Sequence, residues 1–264
     1  MFRFIDKPWD YEYVENAITH AYEIYQTRED LKQRNIDLQK ANEELDKFVY
    51  SASHDLRAPL MSILGIVNLA LLEDDILSQN EYLELIRKSV KKLDTFIINI
   101  IDYYKNARGV SVVSNIDFEE LITEVQATIQ YLPEYGNLKI TTEINQTGFF
   151  QSDAMKLRII FNNLINNAVK FQDTSKENPF INLKVDASST GAIITVEDNG
   201  TGIREIDQDK IFRMFYRAGA TNSGSGIGLY IVHEAITKLG GEIKISSRFG
   251  EGSIFEISIP SIDK

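Results

Sequence analysis

The chain has 264 residues, 43% of them apolar, a formal charge of -11 and no cysteine. That length allows one large domain or two ordinary ones, and the acidic balance argues against nucleic acid as a main partner, because a phosphate backbone requires a concentrated basic face. Without cysteine, disulfides, zinc-thiolate sites and thiol catalysis are excluded. The richest apolar run, Phe96 to Ile101, is broken by Asn99 and is far short of a membrane span, and no signal-peptide core opens the chain, so a cytoplasmic protein is expected.

Residues 1–27 open on the alternating "FRFI", break at Lys7-Pro8 and run helical from Asp10, with apolar positions at Val14, Ala17, Ile18, Ala21 and Ile24. One strand and one helix cannot make a core. With Lys7, Pro8 and Trp9, the segment resembles the end of a response-regulator receiver domain, as a remnant without receiver chemistry. From Arg28 to about 110 the pattern is helical. Leu31, Leu38 and Leu45 are one heptad apart, with Asn35 and Asn42 at the a positions, a pattern that favours a two-stranded parallel coiled coil over the alternative of a single amphipathic helix lying on a globular domain. A turn over 73–80 separates this helix from a second, striped by Leu83, Ile86, Val90, Leu93, Ile97 and Ile101. A hairpin of this kind, paired with a second copy, gives a dimeric four-helix bundle.

A hinge is expected at 109–114, and beyond it the period changes. "NLKITTEI", "FINLKVDA", "AIITVED", "GEIKISS" and "SIFEISIP" read as strands, with helices near 117–131, 153–171 and 227–239. The last two strands form a hairpin across "RFGEGS". The fold class is therefore α+β: a helical hairpin with a coiled-coil extension, then an α/β sandwich with a mixed sheet and helices on one face over 111–264.

Four fragments of this second half suit a nucleotide. On the helix carrying "NNLINNAVKF", Asn163 and Asn167 share a face, as do Asn167 and Lys170. Neutral amide oxygens suit Mg²⁺ when phosphates bring the charge, and a lysine one turn on can meet those phosphates. In "VEDNGTGI" a strand delivers Asp198 into a loop with Gly200 and Gly202, where a carboxylate can accept from an exocyclic amine. "KIFRMFYR" places Phe212 and Phe215 on one side of a short helical turn, with Arg213 and Arg217 available for phosphate. "NSGSGIGLYIV" sets Gly224, Gly226 and Gly228 ahead of a helix, whose exposed N–H groups suit an anion.

The order of these fragments resembles the ATP-binding catalytic domain of sensor histidine kinases, within the wider ATPase class that includes Hsp90, gyrase B and MutL. The resemblance covers roughly residues 45–260. It implies ATP and Mg²⁺ as cofactors, with Asn163 and Asn167 in the N box and Asn167 on the metal. It also implies Lys170 near the phosphates, Asp198 on adenine, and Gly200 and Gly202 in the first glycine box. Phe212 and Phe215 belong to the F box, Gly224, Gly226 and Gly228 to the second glycine box, and about 204–226 to the ATP lid.

Such a domain requires an acceptor, and "SHDLRAPL" is similar to the H box of the dimerisation and phosphotransfer domain of the same family. A neutral imidazole is a good nucleophile near pH 7. His54 is the expected acceptor, with Asp55 orienting the ring and taking its proton, whereas His20 and His233 carry no such context. Pro59 is expected to bend the helix just beyond. Ala58 stands where a threonine or asparagine commonly positions water for dephosphorylating the partner. An alanine has no group to orient water, so weak phosphatase activity is expected. The implied partners are a second copy of the chain and a response-regulator receiver domain. Two rivals compete: an ATPase clamp without autophosphorylation, and a degenerate kinase acting as a dimeric scaffold.

Overall fold

The computed structural model describes residues 11–72, 75–108, 112–129, 136, 138–218 and 225–262. Lys7, Pro8 and Trp9 of the receiver-like stretch, and Gly224, lie outside them. The residues group into two units, one ending at His54 and the other beginning at Asp55.

The first unit is built on helix α1 (Tyr11–Ala70). The heptad leucines are open to solvent, Leu31 at 61%, Leu38 at 69% and Leu45 at 56% exposure.

The second unit takes in the rest of α1, helix α2 (Ile76–Arg108) and the α/β portion. α1 continues through Pro59 to Ala70. α2 begins at Ile76, inside the stretch expected to be a turn, because Asp75 caps it: its carboxylate accepts from the Ser78 backbone N–H and hydroxyl, both at 3.0 Å. A side-chain oxygen of this kind satisfies donors that have no partner within the helix.

Strand β1 (Val113–Asn115) pairs antiparallel with β3 (Gln151–Asp153). The main sheet is formed by β2 (Lys139–Thr147), β4 (Phe180–Ser188), β5 (Gly191–Asp198), β6 (Glu242–Arg248) and β7 (Gly252–Pro260), in the order β2-β4-β5-β7-β6. β2 and β4 are parallel and the other pairs antiparallel. The parallel pair needs a crossover, supplied by helix α4 (Ala154–Lys170). Helices α3 (Phe118–Ile129), α4 and α6 (Gly228–Lys238) pack together over one sheet face, and α5 (Glu205–Gln208) is a single turn. Alternation along the strands shows the one-sided packing: Ile181, Leu183 and Val185 of β4 and Ile194 and Val196 of β5 are buried, whereas Ile193 faces solvent. Phe118 stacks on Phe150 at 5.4 Å and meets Phe161 edge-on at 6.3 Å, and all three rings are fully buried.

The α/β portion is attached to α2 through α6. Lys238 donates to the Asn106 carbonyl at 2.6 Å, near the end of α2 where carbonyls lack helical partners, and the rings of Tyr103 and Tyr230 lie 6.1 Å apart.

Candidate functional site

The site is built around the end of β5. The register sets Asp198 opposite Ile181 of β4 and Ser253 of β7, so the carboxylate leaves the sheet from an interior strand. Its Oδ1 accepts from the Gly200 N–H at 2.8 Å. Burial pushes the Asp198 carboxyl above its ordinary range, against hydrogen bonds from the backbone of Gly200 and Ser253 and the charge of Lys176, which draw it down. An incompletely neutralised carboxylate in such a place favours a hydrogen-bond donor from a ligand.

Close backbone approach explains the glycines. The N–H of Thr201 donates to the Phe171 carbonyl at 2.9 Å, joining the loop to the end of α4, and a Cβ on Gly200 would stand 2.4 Å from that same oxygen. Gly202 adopts φ +64, and a Cβ there would be 2.0 Å from the Arg248 carbonyl. An L side chain is excluded at that position on both counts. Gly252, which sequence reading did not single out, is equally close: its Cβ would be 2.0 Å from the Asp198 carbonyl.

α4 starts under the cap of Asp153, which accepts from Met155 and Lys156 N–H and pairs with the buried Lys156 ammonium. Its buried face carries Leu164, Ile165 and Ala168, while Asn163 and Asn167 stay partly exposed. Asn163 Nδ2 donates back to the Ile159 carbonyl at 2.8 Å, and its Oδ1 lies where a Cβ on Gly228 would come within 2.7 Å. The second glycine segment therefore seats against the asparagine face. Lys170 is pushed down to about 8, first by desolvation and second by the positive charge of Arg217, although its side chain keeps solvent contact. Like charge next to it disfavours the protonated form of Lys170.

Arg217 is brought onto the carboxylate of Asp55, forming a partly buried ion pair that joins the motif region to the residue following His54 in sequence. Asn99 of α2 donates to Ser225 at 3.0 Å. His54 itself is exposed.

The F segment departs from the expected helical turn. Phe215 has φ 63 and its N–H donates to the Gly226 carbonyl at 2.9 Å, while Gly226 has φ +68 and its Cβ would stand 2.7 Å from the Phe215 carbonyl carbon. A bulky residue in left-handed backbone is held there by its surroundings. Phe212 lies apart from this contact, packed on the core and 5.7 Å from the His233 ring. The segment is anchored from below: Tyr216 donates to Asp207 at 2.6 Å and Arg204 at 2.8 Å, and these, the hydroxyl first, hold the Asp207 carboxyl below its ordinary range. Sequence reading missed this anchor, since nothing in the spacing marks it.

Among the described residues no cluster of three or more His, Asp or Glu could hold a metal ion. The donor set on α4 is carboxamide, and Asn163 Oδ1 lies in a space that only a glycine at 228 leaves open. Neutral hard oxygens of this kind fit Mg²⁺ that brings phosphates as its remaining ligands. A cavity of about 670 Å³ between α3 and β2, lined by Asp117, Gln126 and Gln146 among others, takes in none of these residues.

Residues 44–109 match the family described as His Kinase A (phospho-acceptor) domain, and residues 152–262 match the Histidine kinase-, DNA gyrase B-, and HSP90-like ATPase family. The chain thus carries a phospho-acceptor domain followed by a histidine kinase-like ATPase domain, the pair that makes up a sensor histidine kinase, and its ATPase-family domain implies ATP binding. It is 30% identical over 248 residues to Cyanobacterial phytochrome B of Nostoc sp., covering 90% of this chain and 32% of the relative. It is likewise 30% identical to the autoinducer 2 sensor kinase/phosphatase LuxQ of Vibrio cholerae, over 93% of this chain and 30% of the relative. The chain thus spans about a third of the length of these curated relatives. Among solved structures, histidine kinase ThkA in complex with response regulator protein TrrA shares the fold at TM-score 0.65 and 23% identity, over 91% of this chain and 67% of that one. Acinetobacter baumannii histidine kinase AdeS does so at TM-score 0.61 and 21% identity, over 80% and 98%. No helix among the described residues is long and apolar enough to cross a membrane.

Proposed function

We propose that the chain is the kinase portion of a sensor histidine kinase that transfers the γ-phosphoryl group of ATP to His54 and then to an aspartate of a response-regulator receiver domain. The observation that carries this reading is the ion pair of Arg217 with Asp55. It ties the cationic pair Lys170 and Arg217, and through it the Asp198 pocket, to the residue beside the candidate acceptor. The proposed division is a receiver-like remnant over 1–27, a coiled coil and phosphotransfer hairpin over 28–110, and an ATP-binding domain over 111–264.

In this mechanism Asp198 accepts from the adenine amine, and Gly200 and Gly202 let the backbone close on the base. Lys170 faces the phosphates, and Arg217 exchanges the Asp55 carboxylate for them, which frees Asp55 as a base, with Gly226 and Gly228 presenting backbone N–H groups. Asn167, with Asn163 beside it, would hold Mg²⁺, which screens phosphate charge when bound. A His54 nitrogen forms the new P–N bond as the bond from γ-phosphorus to the β,γ-bridging oxygen breaks and ADP leaves. Asp55 takes the imidazole proton. The phosphoramidate so formed is a competent donor to a carboxylate.

The open heptad stripe of α1 supports a homodimer, as does the phospho-acceptor domain match. ThkA, which shares the fold, is a histidine kinase solved with a response regulator, and this supports a receiver domain as the second partner. A cytoplasmic site of action accords with both partners. Ala58 offers no group to hold water, so phosphatase activity should be weak, and Ala58→Thr should raise it toward any receiver domain this chain phosphorylates.

Incubation with γ-labelled ATP and Mg²⁺ is the test. Label that is acid-labile, alkali-stable and lost in His54→Ala is the expected result. Phosphate release without labelled protein would instead establish an ATPase clamp, and neither label nor release would establish a scaffold.

A further inference from the structure

Lys176 lies between α4 and β4, and its ammonium is surrounded by four backbone carbonyls: Asn199 at 2.7 Å, Gly250 at 2.9 Å, Glu251 at 3.1 Å and Gly200 at 3.3 Å. An ammonium has three N–H groups. Four oxygens converging on it therefore form a cage around a monovalent cation as much as a set of directed bonds. Two of the carbonyls belong to the loop that follows Asp198, and two to the turn between β6 and β7.

The lysine is set in place by its own segment. Asp173 accepts from the Ser175 N–H at 3.0 Å and hydroxyl at 2.6 Å, and the Lys176 N–H donates to the Asp173 carbonyl at 3.1 Å. The same segment holds the loop a second time, since Asn199 Nδ2 donates to the Asn178 carbonyl and its Oδ1 accepts from Phe180 N–H, both at 2.8 Å. Carbonyl dipoles aimed at one point repel each other unless a positive charge occupies it. Without the ammonium, the Asn199-Gly200 loop and the Gly250-Glu251 turn would separate, and the Gly200 N–H that orients Asp198 would move with them.

We propose that Lys176 is a positioning residue of the adenine pocket, a built-in monovalent cation that fixes the recognition loop without touching the nucleotide. The inference rests on the reading of Asp198 as the adenine acceptor. A potassium ion is close in size to an ammonium group, so an emptied cage should accept one.

The test is ATP binding by calorimetry in buffer whose only monovalent cation is choline, for the unaltered chain and for Lys176→Met. The unaltered chain should bind equally well with or without added K⁺. Lys176→Met should bind roughly tenfold more weakly, the scale of a lost charge-assisted hydrogen bond, and should recover in K⁺ or NH₄⁺ but not in Li⁺. Lys176→Arg should not substitute, because a planar guanidinium cannot fill the centre of the cage. Melting temperature supplies a second reading: K⁺ should raise it in Lys176→Met and leave the unaltered chain unmoved. Full affinity of Lys176→Met in choline, or a loss that no cation repairs in a folded variant, would overturn the proposal. Failure of the unaltered chain to bind ATP would remove the pocket reading, and this inference with it.

Discussion

Asp198→Asn should act in opposite directions on binding and on stability. In the folded chain Oδ1 accepts from the Gly200 N–H at 2.8 Å, so an asparagine that keeps this bond carries its amide on the other side of the group, where the adenine amine is proposed to lie. A hydrogen bond to a charged acceptor contributes about 1.5–3 kcal/mol, equivalent to roughly 10–150-fold in affinity. Here a donor would also be turned against the adenine amine, so ATP affinity should fall on the order of 100-fold. ITP, whose ring offers a carbonyl in place of that amine, should lose far less.

Stability follows from the raised carboxyl. Because the folded state favours the protonated acid more than the unfolded state does, this group stabilises the fold at low pH and loses that contribution as pH rises through its folded value. Asparagine is neutral throughout. The nucleotide-free variant should therefore melt higher than the parent at pH 7, with the gap closing as pH falls toward the ordinary carboxylate range. Calorimetric titration with ATP and ITP, and melting curves across pH, check both halves. An ATP affinity within about threefold of the parent, well under the contribution of one such bond, would refute the pocket chemistry. A lower melting point at pH 7 would refute the desolvation argument.

The depressed Lys170, near 8, predicts that ATP affinity holds below that pH and declines above it, as the free protein loses the proton that phosphate needs. Titrations in buffers of differing ionisation heat should show proton uptake on binding, and Lys170→Gln should flatten the profile. Gly228→Ala drives a methyl to 2.7 Å from Asn163 Oδ1 and should cost about 1–3 kcal/mol in thermal unfolding, part of which Asn163→Ala should restore in the double variant. Arg217→Gln should weaken ATP binding while leaving adenosine binding unchanged, since the partner proposed for it in the ligand is phosphate. Equal losses for both ligands would contradict that assignment.

Strand positions were largely readable from sequence, because one-sided burial imposes alternation: "AIITVED" becomes β5 and "SIFEISIP" lies within β7. β1 and β3, three residues each, are too short to carry a period. The early start of α2 turns on Asp75 acting as a cap, whereas "EDDILSQN" by composition reads as a turn. Within the site, the glycines and Asn163 show in sequence because only certain residue types fit such close approaches. Gly252, Lys176 and the Asp207-Tyr216 bond do not show, since each acts across elements distant in the chain. The pairing of Arg217 with Asp55 spans 162 positions and was equally invisible.

In the homodimer proposed above, the bare leucines of α1 make helix content there a matter of mass action. Helical propensity alone gives such a segment marginal stability in water, so the helix upstream of His54 should fray on dilution while the β-sheet stays intact. Whatever prises two copies apart at this seam would slacken the segment leading to the imidazole and leave the nucleotide pocket folded.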